Sequence, residues 1–215
     1  PPPPPPPSLS LFFCLFFIIF ICFFIFIFFI LCLWFALVLF ILIFLIFLTF
    51  NLKADQNSPK LDLYFEELLK VENISKQNVI VGAIWKEWLI TDNLEIEKIM
   101  NIMPYFFQTQ NYQEAVNALD YVIELDPMFA EGYNKRATIY FMTGEYEKSM
   151  KDIEATLSLE PRHFGALDGM SRILIYFGKY DQALKTYDEM KKLMPNDTSI
   201  DIKIDRLNKL IFDDA

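Results

Sequence analysis

Beyond its first fifty residues the chain has no cysteine and a single histidine, His163. A domain without cysteine forms no disulfide and no thiolate metal site. One histidine supplies neither a typical zinc ligand set nor the base of a cysteine nucleophile. Glycine is scarce, with six residues in the chain, and we find no P-loop, G-x-S-x-G, H-E-x-x-H or dinucleotide-binding glycine pattern. We therefore expect no catalytic residue, no metal site and no cofactor.

Clusters of lysine and arginine are also missing. The 28 acidic residues and all of the 19 basic residues except Lys53 lie from Asp55 onward, which gives this part a net charge of −10. An acidic surface repels the phosphate backbone of nucleic acids. We expect no nucleic-acid partner.

The first ten residues are of low complexity, and they begin with seven prolines. Residues 1–13 use only Pro, Ser, Leu and Phe, whose codons can all begin with two pyrimidines. We expect residues 1–10 to be a translation artefact from pyrimidine-rich DNA, with the true start further along the chain.

Residues 11–54 are the hydrophobic segment of the chain, and charges are absent from it before Lys53. A bilayer core of about 30 Å needs about 20 apolar residues, and residues 11–48 would form a helix of roughly 57 Å. That length exceeds one span, and no lysine or arginine precedes the run as in a secretory signal. We interpret residues 11–54 as a signal or a membrane anchor and leave both alternatives open.

A repeat of 34 residues organises the rest of the chain, and it is typical of helix–turn–helix units. Prolines, tyrosines and glycines recur at this spacing: Pro127, Pro161 and Pro195; Tyr112, Tyr146 and Tyr180; Gly144 and Gly178. We divide the chain into a degenerate first unit over 96–129, a second over 130–163 and a third over 164–197. Each glycine is expected to end a first helix, and each proline to follow a second helix.

Three residues depart from the repeat pattern. Gln110 stands where the other units have the turn glycine. Pro104 falls inside the first helix of its unit, where we expect it to kink or break that helix. Arg136 takes a position that is commonly a buried leucine, and we interpret it as a snorkelling or salt-bridged side chain.

Helical segments flank the repeats on both sides. Residues 55–95 are predicted to form an N-terminal helical cap, with Ser58 as N-cap and Pro59 at the first helical position. Trp85 and Trp88 are expected to seal the exposed end of the first repeat rather than to bind a ligand. Residues 198–215 are predicted to form a capping helix, because a solenoid needs a polar outer face at its end.

The stretches "IWKEW" and "AEGYNKRATIYFMTGEYEKSMKDIEATLSLEPRHFGAL" resemble small, signal-bearing bacterial proteins of the tetratricopeptide-repeat family, whose activity is unassigned. The resemblance implies an all-α, right-handed solenoid of helical hairpins that acts as an adaptor or scaffold. With its leader, the chain is expected in the periplasm, or anchored in the inner membrane and facing the periplasm. Anchoring to the membrane of another compartment is the alternative. Members of this fold that bind chaperone tails hold a carboxylate with Lys, Asn and Arg, and that clamp is absent from the matching positions Met100, Pro104, Lys135, Gly165 and Gly169.

We favour a non-enzymatic protein-interaction module that binds a helix or peptide segment in a concave groove. From the repeat register we expect the groove to be lined by Phe107, Asn134, Thr138, Phe141, Met142, Asp168, Arg172, Ile175 and Tyr176. One alternative is a solenoid that self-associates, as a homo-oligomer, through its Trp-bearing end. The other is a hydrolase or ligand-binding protein that uses His163 with Glu160 or Asp168.

Overall fold

The computed structural model describes residues 34–35, 37–41 and 58–213. The chain divides into two units, Pro1–Lys53 and Ala54–Ala215. In the first unit the described residues are helical and mostly exposed. No helix within the described ranges has both the length and the apolar character needed to cross a membrane. The predicted artefact at 1–10 and most of the predicted leader at 11–54 lie outside these ranges.

Residues 58–213 of the second unit contain helices and no strand. The helices are α1 (Pro59–Lys70), α2 (Ile74–Trp88), α3 (Leu94–Thr109), α4 (Tyr112–Leu125), α5 (Ala130–Met142), α6 (Tyr146–Leu159), α7 (Phe164–Tyr176), α8 (Tyr180–Leu193) and α9 (Thr198–Asp213). The pairs α3–α4, α5–α6 and α7–α8 are packed hairpins. The predicted all-α architecture of helical hairpins is confirmed.

The tight turns inside the three hairpins share one backbone conformation. Gly144 and Gly178 have φ of 78° and 69°, and Gln110 has φ of 56°. This left-handed region suits glycine because a Cβ is crowded there. Gln110 therefore makes the same turn as the two glycines, but its side chain makes the left-handed conformation higher in energy.

Pro104 does not break its helix, so of the two predicted effects, a kink or a break, the break does not occur. Helix α3 runs from Leu94 to Thr109 with Pro104 inside it. Proline lacks the N–H that would donate to the carbonyl of residue 100, but Met100 and Met103, in the turn before Pro104, are buried in the core. Their packing holds the helix together across the missing bond.

Two of the hydrophobic clusters are built from different sets of helices. One joins α3 and α4 to the start of the second hairpin through buried residues such as Ile96, Leu119 and Phe129. Another joins Leu61, Phe65 and Leu68 of α1, and Trp88 of α2, to α7, α8 and α9. The N-terminal helices therefore pack on the third hairpin, far along the chain.

Trp85 and Trp88 correct a second prediction. Trp88 stacks on His163 with the ring centroids 4.0 Å apart, and Trp85 meets the Phe164 ring edge-on at 5.2 Å. Both tryptophans lie at the turn between the second and third hairpins. They do not seal the exposed end of the first repeat.

Candidate functional site

A cleft of about 330 Å³ lies between the second and third hairpins. Its lining includes six of the nine predicted groove residues: Asn134, Thr138, Phe141, Met142, Asp168 and Arg172. They stand on α5 and α7, the first helices of their hairpins, and the 34-residue repeat relates Asn134 to Asp168 and Thr138 to Arg172. The structure therefore brings six of the predicted residues together in one cleft.

A second, smaller cleft of about 240 Å³ adjoins the first, because Asp168 and Arg172 line both. Of the predicted groove residues, Ile175 also belongs to it. Sequence reasoning missed the rest of its lining: Tyr187 on α8 and Lys203, Arg206, Leu207 and Leu210 on α9. The three- and four-residue spacing of the α9 positions is a helical-face signal that could have pointed to them.

Two predicted groove residues lie elsewhere. The Tyr176 ring lies against Tyr146, tilted by 44° with ring centroids 4.2 Å apart, and Tyr176 is 64% exposed. Phe107 is half-buried against the core of the first hairpin. Neither residue lines the two clefts.

Asp168 is the carboxylate at the boundary of the two clefts. It accepts hydrogen bonds from Arg172 Nε, at 2.7 Å, and from Lys203 Nζ. Burial alone would raise the pKa of Asp168, but the hydrogen bonds from Lys203 and Arg172 outweigh burial and hold it below its ordinary value. Asp168 is thus ionised, and its carboxylate accepts a hydrogen bond from each of the two cations.

His163 is fully buried at the start of α7, under the Trp88 ring. Its Nδ1 accepts a hydrogen bond from the backbone N–H of Ala166, so the ring proton lies on Nε2 and is donated to Glu131 Oε2 at 2.9 Å. The predicted partners are bound elsewhere, since Glu160 pairs with Arg162 and Asp168 with Arg172 and Lys203. His163 caps a helix and has no access to a substrate, which removes the structural basis for the hydrolase alternative.

Glu131 is the buried acid that completes this arrangement. Lys135 Nζ lies 2.9 Å from Oε1, and Asn134 Nδ2 donates to Oε2 at 2.9 Å. Burial works to raise the pKa of Glu131, but the hydrogen bond from His163 and the charge of Lys135 prevail and lower it. Glu131 is therefore a charged, structural residue inside the protein.

Trp85 occupies the space at the first turn of α7. A Cβ at Gly165 would stand 2.6 Å from Trp85 Cη2, and Lys135 Nζ lies 5.6 Å from the centre of the Trp85 ring. Lys135 and Gly165 are two of the positions where a carboxylate clamp would be built. Helix α2 therefore covers the groove beside Gly165, a residue that also lines the larger cleft.

The inward packing of the tryptophans also bears on self-association. Trp88 is 1% exposed and Trp85 is half-buried against α7. The Trp-bearing end predicted as an assembly surface is used inside the chain itself. Trp88 is therefore not exposed for assembly, and self-association of the chain stays a prediction.

Arg136 is salt-bridged, as one reading of the sequence predicted. Its Nε and Nη2 each lie 2.7 Å from the Asp152 carboxylate, and Nη1 lies 2.6 Å from Asp120 Oδ1. The hydrogen bonds from Asp152 and Asp120 raise the pKa of Arg136 above its ordinary value. One side chain thereby ties α4, α5 and α6 together.

Comparisons with known proteins agree with this architecture. Residues 105–152 match the family model described as TPR repeat. The structure is similar to the first TPR of Spaghetti (RPAP3) bound to an HSP90 peptide, with 17% identity, a TM-score of 0.52 and coverage of 56% of this chain and 98% of that chain. It is also similar to the Sgt2 TPR domain from Aspergillus fumigatus, with 16% identity, a TM-score of 0.51 and coverage of 55% and 80%. No curated protein matches the chain in sequence.

The folding pattern defines a helical-repeat protein of stacked hairpins. The match of residues 105–152 to the TPR-repeat model agrees with the resemblance seen in the sequence.

Proposed function

We propose that the chain is a non-enzymatic protein-interaction module, an adaptor or scaffold that binds a helix or an extended peptide segment in the groove of α5 and α7. The observation that carries this proposal is the cleft with Phe141 and Met142 beside Asn134, Thr138 and Arg172. Apolar anchors with a few polar groups around them are the usual composition of a peptide site. Met142 is 49% exposed and is available to a partner.

A structural neighbour gives a further reason for a peptide partner. The Spaghetti (RPAP3) domain is bound to the HSP90 peptide SRMEEVD. In this chain Trp85 fills the space beside Gly165, and the clamp positions lack the residues that hold a terminal carboxylate. The proposed site is therefore the open part of the groove, around Phe141 and Met142.

Affinity capture with groove variants tests the interaction. The full chain, held in a non-ionic detergent, is used as bait with a membrane-enriched extract, as wild type and as the variants Phe141→Ala and Met142→Glu. Val79→Glu is the matched control because Val79 is 73% exposed on α2 and lines neither groove cleft. We expect the same captured protein with wild type and Val79→Glu, and its loss with both groove variants. Capture that survives both groove variants contradicts the groove as the binding site.

For residues 11–54 we propose export or membrane tethering of the repeat domain, to the periplasm or to the inner membrane facing it. The uncharged apolar run supports this location. Fractionation of cells that produce the full chain, followed by N-terminal sequencing, separates the two forms. Tethering leaves the protein in the membrane after alkaline washing, and cleavage yields a soluble form that begins near residue 55. A soluble protein with an intact leader contradicts both.

A further inference from the structure

The charges at the α7–α9 cleft have the opposite sign to the domain as a whole. From Asp55 onward the chain has a net charge of −10. The charged side chains that line this cleft are Asp168 and Arg172 from α7 and Lys203 and Arg206 from α9, a local charge of +2. The third element that lines it, α8, contributes the uncharged Tyr187.

The positive charge is available to a partner. Arg172 and Lys203 share one counter-ion, Asp168, and the Arg172 side chain is 58% exposed. Arg206 is exposed and forms no hydrogen bond or ion pair with the side chains that the structure describes. A carboxylate that enters the cleft would meet at least one cation with no other partner.

Apolar groups lie beside these cations. Ile175, Leu207 and Leu210 line the same cleft, and Leu210 is 43% exposed. Through Asp168 and Arg172 the cleft continues into the one that contains Phe141 and Met142. The combined surface offers apolar contacts along α5 and α7 and cations where α9 joins them.

We propose that the segment bound in the groove is an acidic, amphipathic peptide whose aspartate or glutamate side chains lie against Arg172, Lys203 and Arg206. This inference rests on the proposed function and adds the chemistry of the partner. Charge complementarity selects partners and steers their approach. Here it excludes basic segments, which the remaining acidic surface would otherwise attract. The recognised groups are side-chain carboxylates along the segment, because the clamp positions Gly165 and Gly169 in the larger cleft carry no side chain that could hold a terminal carboxylate.

Peptide selection tests the partner's charge without knowledge of its name. A library of random 16-residue peptides is displayed with its C termini joined to the carrier, so that no free terminal carboxylate is present. The library is selected on the full chain in non-ionic detergent, as wild type and as the double variant Arg172→Gln/Arg206→Gln. The matched control is Lys185→Gln/Lys192→Gln, which removes two exposed positive charges from α8 outside the cleft.

Three outcomes are distinguishable. Selection of peptides rich in Asp, Glu and apolar residues by wild type and control, with loss of the acidic excess on the Arg172→Gln/Arg206→Gln variant, supports the inference. Peptides without an acidic excess, or the same acidic excess on all three proteins, overturn the inference and leave the groove intact. Failure to enrich any peptide on wild type, or unchanged enrichment in a parallel selection on Met142→Glu, overturns the groove itself.

A titration of one selected peptide gives the size of the effect. By fluorescence anisotropy we expect Arg206→Gln to weaken binding roughly fivefold, because one partly exposed charge pair is lost. Lys185→Gln should leave the affinity within about twofold. Binding to wild type should weaken as salt is raised from low to physiological strength, with a smaller change for Arg206→Gln. An affinity that is independent of both Arg206 and salt overturns the inference.

Discussion

The two junctions between consecutive hairpins have the same backbone hydrogen bonds but carry different side chains. At the first, Phe129 N–H donates to the carbonyl of Asp126 at 3.1 Å. At the second, His163 N–H donates to that of Glu160 at the same distance. Acidic side chains brace both turns, since Asp126 accepts from Met128 N–H and Glu160 from Arg162 N–H, each at 2.9 Å. The 34-residue repeat is thus preserved to the level of single hydrogen bonds.

The equivalent side chains at the two junctions differ in polarity. Phe129 joins the apolar core of the first hairpin, whereas His163 is a buried polar group that needs Glu131 and the Trp88 ring. Burying histidine and glutamate is unfavourable unless both are paired and shielded. The second junction therefore depends on Trp88 of α2, whereas Phe129 at the first packs into the core of its own hairpin.

The largest effect is expected when the cover of the second junction is removed. Trp88→Ala should destabilise the domain by about 3–5 kcal/mol, because a fully buried aromatic ring is replaced by a cavity over His163. Urea unfolding of the full chain in non-ionic detergent, followed by circular dichroism, measures the loss. The control Val79→Ala, on the exposed face of the same helix, should change stability by about 0.5 kcal/mol or less. Similar losses for both variants would show that α2 does not hold this junction.

A smaller effect, with a distinctive pH dependence, is expected for Glu131→Gln. The glutamine can still accept from His163 but has no charge for Lys135, and we expect a loss of about 1–2 kcal/mol at pH 7. The folded pKa of Glu131 lies below its ordinary value of 4.5. Its ionisation therefore stabilises the fold above that pH, and this contribution is lost as the pH falls through the lower, folded value.

The measurement is the difference in unfolding free energy between wild type and Glu131→Gln across pH 3–7. This difference should shrink as the pH falls below about 4.5. Glu154→Gln, on the exposed face of α6, is the control and should show little difference at any pH. A constant difference for Glu131→Gln would contradict the buried ion pair.

The smallest effects are expected from a pair of glycines. Gly165→Ala places a Cβ 2.6 Å from Trp85 Cη2 and should cost about 1–2 kcal/mol, because the ring must shift. Gly82, inside α2, has nothing within 4 Å of its Cβ position, so Gly82→Ala should stabilise by about 0.5–1 kcal/mol. Thermal unfolding of both variants gives opposite signs if Trp85 closes the groove as described. If Gly165→Ala also stabilises, the contact with Trp85 is not close.

Local features of the fold were predictable, because they depend on neighbouring residues. The period placed the turns at Gly144 and Gly178, and the register placed Asn134 and Asp168 on one surface. Pro104 was misjudged, because its cost competes with the burial of Met100 and Met103, and no local pattern reports that balance.

Contacts between distant repeats were not predictable in the same way. Glu131 reaches His163 across 32 residues, close to one repeat, but the repeat equivalent of Glu131 is Gly165, so no periodic signal links the pair. The packing of α1 and α2 on the third hairpin depends on the fit between apolar surfaces that are far apart in the sequence. The spacing of Lys203, Arg206, Leu207 and Leu210 on α9 indicates one helical face, but only the packing of α9 on the third hairpin shows that this face lines the groove.

The contacts of α1 have a consequence for synthesis of the protein. Asp62 pairs with Arg162, 100 residues later, and the carbonyl of Val71 accepts a hydrogen bond from Asn196, 125 residues later. A ribosome therefore releases α1 and α2 long before their partners exist, while α3 and α4 can already pack on each other. Leu61, Phe65 and Trp88 remain uncovered during that interval, and exposed apolar surface of this kind is what chaperones bind and what aggregates. Completion of the third hairpin ends this exposure. Synthesis that stops before residue 196 therefore yields a chain in which the apolar faces of α1 and α2 stay exposed.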